Sequence, residues 1–77
     1  MATAVTAGPE GTLYVADFYN HRIQVFAPDG TFRTAFGEQG SGEGEFERPV
    51  DVAVNAEGTL YVVDFGNDRV QVFAPDR

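Results

Sequence analysis

Two sets of polar residues with the same spacing are the candidates for chemistry in this chain. Asp17, Asn20 and Arg22 form the first set, and Asp64, Asn67 and Arg69 repeat it 47 residues later. A carboxylate, an amide and a guanidinium this close together could form a charged binding site. They could equally hold a turn, because Asp and Asn hydrogen-bond turn backbone and Arg pairs with carboxylates. We favour a structural turn network, since a site for one ligand would more often differ between the copies.

The only histidine, His21, lies inside the first set. A general base needs a carboxylate or a nucleophile within hydrogen-bond reach, and the position of His21 between Asn20 and Arg22 is that of a turn residue. A ring of several chains would repeat His21, but turns far from the ring axis could not share one metal ion. We therefore expect no catalytic residue, no metal site and no cofactor.

The positions that differ between the two copies could instead mark a binding surface. Gly66 replaces Tyr19, and Asp68 replaces His21. Exposed aromatic residues beside charges are typical of protein or peptide sites, although ordinary drift between repeats produces such differences too. The candidate binding residues, in the turns and the linker, are Phe18, Tyr19, His21, Arg48, Phe65 and Asp68.

These residues belong to an internal repeat. Residues 10–29 return as residues 57–76 with only four differences, and a period of 47 residues indicates a repeat architecture. Apolar residues alternate along residues 12–16 and 22–26, which predicts short strands separated by turns. Further strands are predicted at residues 3–7 and 31–36, with Phe32 and Phe36 on one face of the latter.

A return segment, residues 37–48, follows the predicted fourth strand. It contains four glycines and four glutamates, which predicts a flexible acidic linker, and we expect Phe46 to pack into the core. Each copy thus predicts strands a, b, c and d, then the return. The second copy has no counterpart of strand d, so we expect one blade of four strands at residues 1–47 and one of three at residues 48–77.

Four short antiparallel strands per period are typical of a β-propeller blade. The run GTLYVADFYNHRIQVFAPDGTF followed by FGEQGSGEGEFERPVDVAV resembles the NHL repeat, with its Asp-x-x-Asn-x-Arg turn at residues 17–22 and its Phe-x-x-Pro at residues 46–49. The resemblance implies an all-β fold and a ring of about six blades. Because a blade with two apolar faces is not stable alone, two blades per chain imply a homotrimer, with an eight-bladed tetramer as the alternative.

Three functions are compatible with this resemblance. The first is a non-catalytic scaffold or protein-interaction module that self-assembles into a ring, and the self-similar chain looks like an engineered or excised propeller fragment. The second is a piece of an NHL-type enzyme, similar to a peptide-amidating lyase or a lactonase. The third is an RNA-binding NHL domain, which needs a basic face.

Composition narrows the partners. The chain has 77 residues, a formal net charge of −7 and no cysteine. Negative charge disfavours nucleic acid and anionic membrane surfaces, and the absence of cysteine excludes disulfides. We find no pattern of a signal peptide and expect a soluble protein, whose compartment the sequence leaves open. Its partners are expected to be copies of itself and possibly a protein or peptide.

Overall fold

The computed structural model describes residues 2–75, which form two antiparallel sheets. The strands are β1 (Ala2–Ala7), β2 (Leu13–Asp17), β3 (Arg22–Phe26), β4 (Phe32–Phe36), β5 (Pro49–Val54), β6 (Leu60–Asp64) and β7 (Arg69–Phe73). In the first sheet β1 to β4 lie in sequence order, and in the second so do β5 to β7. The sheets are called blade 1 and blade 2. The all-β prediction is confirmed, with strand boundaries shifted by one residue at β1, β2 and β4.

Strand β2 is joined to β3, and β6 to β7, by a single tight turn. These are the short 3-10 turns Phe18–Asn20 and Phe65–Asn67. Each ends at a residue in the left-handed region, His21 with φ 53° and Asp68 with φ 59°. Histidine and aspartate are among the few non-glycine residues that adopt this conformation readily. Both copies of the repeat therefore turn in the same way although their sequences differ.

The core lies between the two sheets. Its buried apolar residues are Ala16 and Ile23 from blade 1, Val52, Leu60 and Val62 from blade 2, and Phe46 from the return segment. Side chains alternate across a strand, so each sheet offers one face to this core and turns the other face away. Burial of Phe46 confirms the prediction that it packs into the core, where its ring lies 5.9 Å from that of Phe73.

The prediction that Phe32 and Phe36 share a face of β4 is wrong. The pairing of β3 with β4 shifts by one residue between Val25 and Phe26, so Phe36 pairs with Ile23 and Phe32 with Phe26. A bulge of this kind inserts an extra residue and reverses the side on which later side chains lie. Phe36 consequently faces blade 2, where its ring lies 5.2 Å from that of Phe73, and Phe32 packs on Phe26 at the opposite face.

The prediction of a flexible linker at residues 37–48 does not describe the fold of this segment. It folds back on itself, with the Phe46 N–H donating to the Glu38 carbonyl at 2.9 Å and the Gly40 N–H to the Phe46 carbonyl at 3.1 Å. Glycine is needed at Gly37 for two reasons. Its φ is +104°, and a Cβ there would lie 2.5 Å from the Phe46 ring.

Within residues 2–75, no helix is long and apolar enough to cross a bilayer.

Candidate functional site

The buried carboxylate of Asp64 is the centre of the polar cluster in blade 2. It accepts hydrogen bonds from Asn67 Nδ2 at 2.9 Å, Arg69 Nε at 3.0 Å and the Glu47 backbone N–H at 2.7 Å. Gln71 Nε2 also donates to it at 3.2 Å. A turn, a strand and the return segment therefore meet at one carboxylate.

Two opposed effects act on the Asp64 carboxyl. Burial raises its pKa, but the hydrogen bonds from Asn67, the Glu47 N–H, Arg69 and Gln71 together outweigh burial and hold the pKa below its ordinary value. The carboxylate is therefore charged at neutral pH. An ion held by this many donors acts as a fixed anchor, so this geometry is that of a structural node.

The other donor atoms of the same side chains hold the return segment. Arg69 donates through Nη1 to the Ser41 carbonyl at 3.0 Å and through Nη2 to the Gly42 and Glu45 carbonyls, both at 2.9 Å. Gln71 donates to the Glu45 carbonyl at 2.7 Å and accepts from the Gly44 N–H at 3.1 Å. All of these partners are backbone atoms, so blade 2 recognises the path of the segment.

Asn67 completes this clamp by donating to the Gly40 carbonyl at 2.9 Å. The sequence analysis singled out Asn67 and Arg69 but missed Gln71 and its counterpart in the first copy, Gln24. The signal was present, because the glutamine is identical in both copies and interrupts the apolar alternation of strand c.

Blade 1 carries the same cluster around Asp17. Arg22 Nε donates to Asp17 Oδ2 at 2.9 Å, Gln24 Nε2 donates at 3.1 Å, and Asn20 Nδ2 lies 3.1 Å from the same oxygen. Burial raises the pKa of Asp17, but the hydrogen bonds from Arg22 and Asn20 and the charge of Arg22 hold it below its ordinary value. The structure thus brings the six predicted turn-network residues together as two clusters of the same design.

The face of blade 2 that points away from blade 1 is apolar and exposed. Tyr61 pairs with Val72 and Val63 with Val70 across β6 and β7, so the four side chains form one patch. Their counterparts in blade 1, in the same order Tyr14, Val25, Ala16 and Ile23, lie on the face that packs against blade 2. Ile23 is 0% exposed and Val70 is 58% exposed, so the same position of the repeat is covered in one blade and bare in the other.

The far face of blade 1 is the complementary case. Val5 is exposed there, whereas its counterpart Val52 is buried in the contact between the blades. Leu13 and Val15 alternate onto the same face and correspond to the buried Leu60 and Val62. The chain therefore shows both halves of its internal contact a second time, uncovered.

The six candidate binding residues form two groups, one at each turn. At the first turn the rings of Phe18 and Tyr19 are 4.9 Å apart in an edge-to-face arrangement. His21 Nδ1 accepts the Arg48 backbone N–H at 3.0 Å, which ties this turn to the return segment. Phe65 and Asp68 lie together at the second turn. These residues, with the return segment, form what we call the turn face.

Close packing accounts for the difference between Tyr19 and Gly66. The Gly66 N–H donates to the Glu47 carbonyl at 2.7 Å, and a Cβ at Gly66 would lie 2.6 Å from that oxygen. No side chain fits there without displacing the return segment. Tyr19, 63% exposed, occupies the corresponding position of blade 1.

A comparison with protein families decides the architecture. A family model described as a 6-bladed beta-propeller matches residues 8–75 of the chain. The chain belongs to this 6-bladed β-propeller family. Its two antiparallel sheets, joined through a shared apolar contact, are consistent with blades of such a propeller.

One curated relative of this propeller chain is Protein brain tumor of Drosophila melanogaster. It is 38% identical over 52 residues, which are 68% of the chain but 5% of that protein. The chain thus spans a twentieth of the length of the curated relative it matches.

The propeller chain also has a cleft between its blades, which sequence reasoning did not predict. It measures about 560 Å³ and lies where Tyr14, Val25 and Phe36 of blade 1 meet Leu60 and Phe73 of blade 2. The volume is in the range of small-molecule pockets. Its polar rim comes from Glu10, Arg33 and Glu57. No group of three or more potential metal ligands occurs among residues 2–75.

Proposed function

We propose that the chain is a non-catalytic β-propeller module of the NHL type that assembles head to tail with copies of itself and presents its turn face to a protein or peptide. The observation that carries the proposal is the pair of uncovered faces. The apolar patch of Tyr61, Val63, Val70 and Val72 repeats the face that blade 1 uses inside the chain. The face of Val5 repeats the one that blade 2 uses.

A contact between two different faces is directional, so it closes into a ring when the rotation allows. A contiguous exposed apolar patch is a common sign of association between proteins. The family description gives six blades and the chain supplies two, which favours a homotrimer. An eight-bladed tetramer is the alternative.

The role without catalysis is supported by how the candidate chemical groups are engaged. Asp17 and Asp64 are each held by several donors within their own blade. The Nδ1 atom of His21 accepts a backbone N–H. The turn face, by contrast, exposes the aromatic side chains of Tyr19 and Phe65, which are suited to contact with a protein or peptide.

Light scattering behind a sizing column tests the assembly. We expect the chain to elute with three times its 8.3 kDa mass. Val70→Lys places a charge in the exposed patch and is expected to give monomers, because an unpaired charge in an apolar contact is costly. Ala56→Lys adds the same charge at an exposed turn and is the matched control, expected to remain a trimer.

A tetramer would keep head-to-tail assembly and correct the number of blades in the ring. A folded monomer at all concentrations, or a trimer that Val70→Lys leaves intact, would refute assembly through these faces.

A further inference from the structure

We propose that the outer face of blade 1 carries a peptide-binding site, formed by Asn20, Arg22 and Gln24, for a glycine-rich acidic segment that ends in phenylalanine. The inference rests on the same repeat of faces as the proposed function but concerns a different partner. Its basis is what the counterparts of these residues do in blade 2.

In blade 2, Asn67, Arg69 and Gln71 make six hydrogen bonds to the backbone of residues 40–45, between 2.7 and 3.1 Å long. Only Gln71 accepts as well as donates. Because the contacts go to backbone atoms, the clamp selects a chain path with several glycines rather than a set of side chains. The segment ends at Phe46, whose ring packs beside Phe73 at 5.9 Å.

Blade 1 holds the same clamp in the same conformation. The bond from arginine Nε to the central carboxylate is 2.9 Å in blade 1 and 3.0 Å in blade 2, and the bond from the glutamine is 3.1 Å against 3.2 Å. Within residues 2–75, the hydrogen bonds of Asn20, Arg22 and Gln24 all go to Asp17. The clamp is therefore preformed, which lowers the entropic cost of binding.

The exposure of the two arginines agrees with a vacant clamp. The Arg22 side chain is 41% exposed, while that of Arg69, covered by the return segment, is 31% exposed. Phe26 stands where Phe73 stands in blade 2 and offers its ring to an incoming phenylalanine. A partner whose chemistry matches residues 38–46 would find every side chain that binds those residues within blade 2.

Tyr19 limits the length of the partner. In blade 2 the residue after the phenylalanine, Glu47, passes so close to Gly66 that a Cβ has no room. Blade 1 has a tyrosine at this place, so a bound segment must end or turn away directly after its phenylalanine.

A titration of the 15N-labelled full chain tests the site, followed by NMR at the Arg Nε–H and the Asn and Gln side-chain amides. The probe is the synthetic peptide EQGSGEGEF, residues 38–46. We expect saturable shifts at Arg22, Gln24 and Asn20. Arg22→Lys should weaken binding at least tenfold, because lysine cannot donate to several carbonyls in a fork. The exposed Arg33→Lys is the matched control and should keep the affinity within twofold.

Two further peptides need no variant that might unfold. Replacing the phenylalanine by alanine should weaken binding at least tenfold. The longer peptide EQGSGEGEFE should bind the natural chain no more tightly than the shorter one, whereas Tyr19→Gly should gain at least threefold for it.

The site is refuted by the absence of saturable shifts at 2 mM peptide, by shifts confined to the edge of β7, or by equal binding to Arg22→Lys. The mass of the same samples separates this result from the proposed function. A trimer that ignores the peptide refutes only the site, and a monomer that binds it refutes only assembly.

Discussion

At the scale of residues, the repeated carboxylate, amide, arginine and glutamine act as one clamp. Each carboxylate, Asp17 or Asp64, orients the donors around it. In blade 2 the remaining donor atoms of those side chains then bind the return segment. Charge and hydrogen bonding here serve to fix backbone, and they do so because a charged group engaged on several sides loses much of its freedom to move.

Replacing the arginine of each clamp by lysine should have unequal effects. Arg69→Lys forfeits the fork that contacts Ser41, Gly42 and Glu45, so we expect a loss of about 2–4 kcal/mol in the free energy of unfolding. Arg22→Lys weakens a half-exposed ion pair and should cost below about 1 kcal/mol. Urea unfolding of both variants measures the difference, and equal losses would contradict the clamp.

Acid should weaken the fold through the clamp carboxylates. The pKa of Asp64 is lowered in the folded chain, so its contribution to stability is fully present above the unfolded value of about 3.9 and is lost as pH falls through the folded pKa. We expect the urea midpoint to fall increasingly steeply below about pH 4. Asp64→Asn should be less stable at pH 7 and lose less on acidification. A variant that kept the full acid dependence would show that other groups cause it.

At the scale of elements, the return segment joins the two blades. Phe46 packs between Phe36 at the end of β4 and Phe73 at the end of β7, with ring separations of 6.3 and 5.9 Å. The Glu47 N–H and carbonyl are both bonded to blade 2, and the Arg48 N–H is bonded to His21 of blade 1. The segment is thus part of the contact between blades.

Truncating the aromatic anchor should therefore separate the blades. Phe46→Ala removes a fully buried ring and should cost about 3–5 kcal/mol, because a cavity adds to the lost transfer free energy. Phe32→Ala, at a side chain that is 54% exposed, is the control and should cost below about 1 kcal/mol. Thermal unfolding followed by circular dichroism provides the comparison, and a Phe46→Ala variant as stable as the control would show that the ring is not an anchor.

At the scale of the whole molecule, the chain makes one contact between blades and presents both of its halves again. A stack of two blades leaves two apolar faces bare, which is a general property of repeat proteins whose repeats bury surface only against neighbours. This is why the proposed assembly belongs to the molecule as a whole. No single residue determines it, and its test is a mass rather than an activity.

Much of the fold could be predicted from the sequence because the repeat states it twice. Alternation in residues 12–16 and 22–26 predicted strands, and the period of 47 residues predicted blades. The side of Phe32 could not be predicted, since a bulge reverses the alternation without a mark in the local sequence. Glycine content was also misleading at residues 37–48, where hydrogen bonds from distant side chains order the path.

The sequence by itself determined the repeat, the turn residues and the burial of Phe46, because these follow from local spacing and polarity. Only the tertiary structure decided what the polar clusters bind, since their partners lie up to 28 residues away along the chain. It also gave a reason for Gly66 where the first copy has Tyr19, namely the close passage of Glu47. Spacing along a chain fixes which side chains can act together, and packing fixes which backbone they meet.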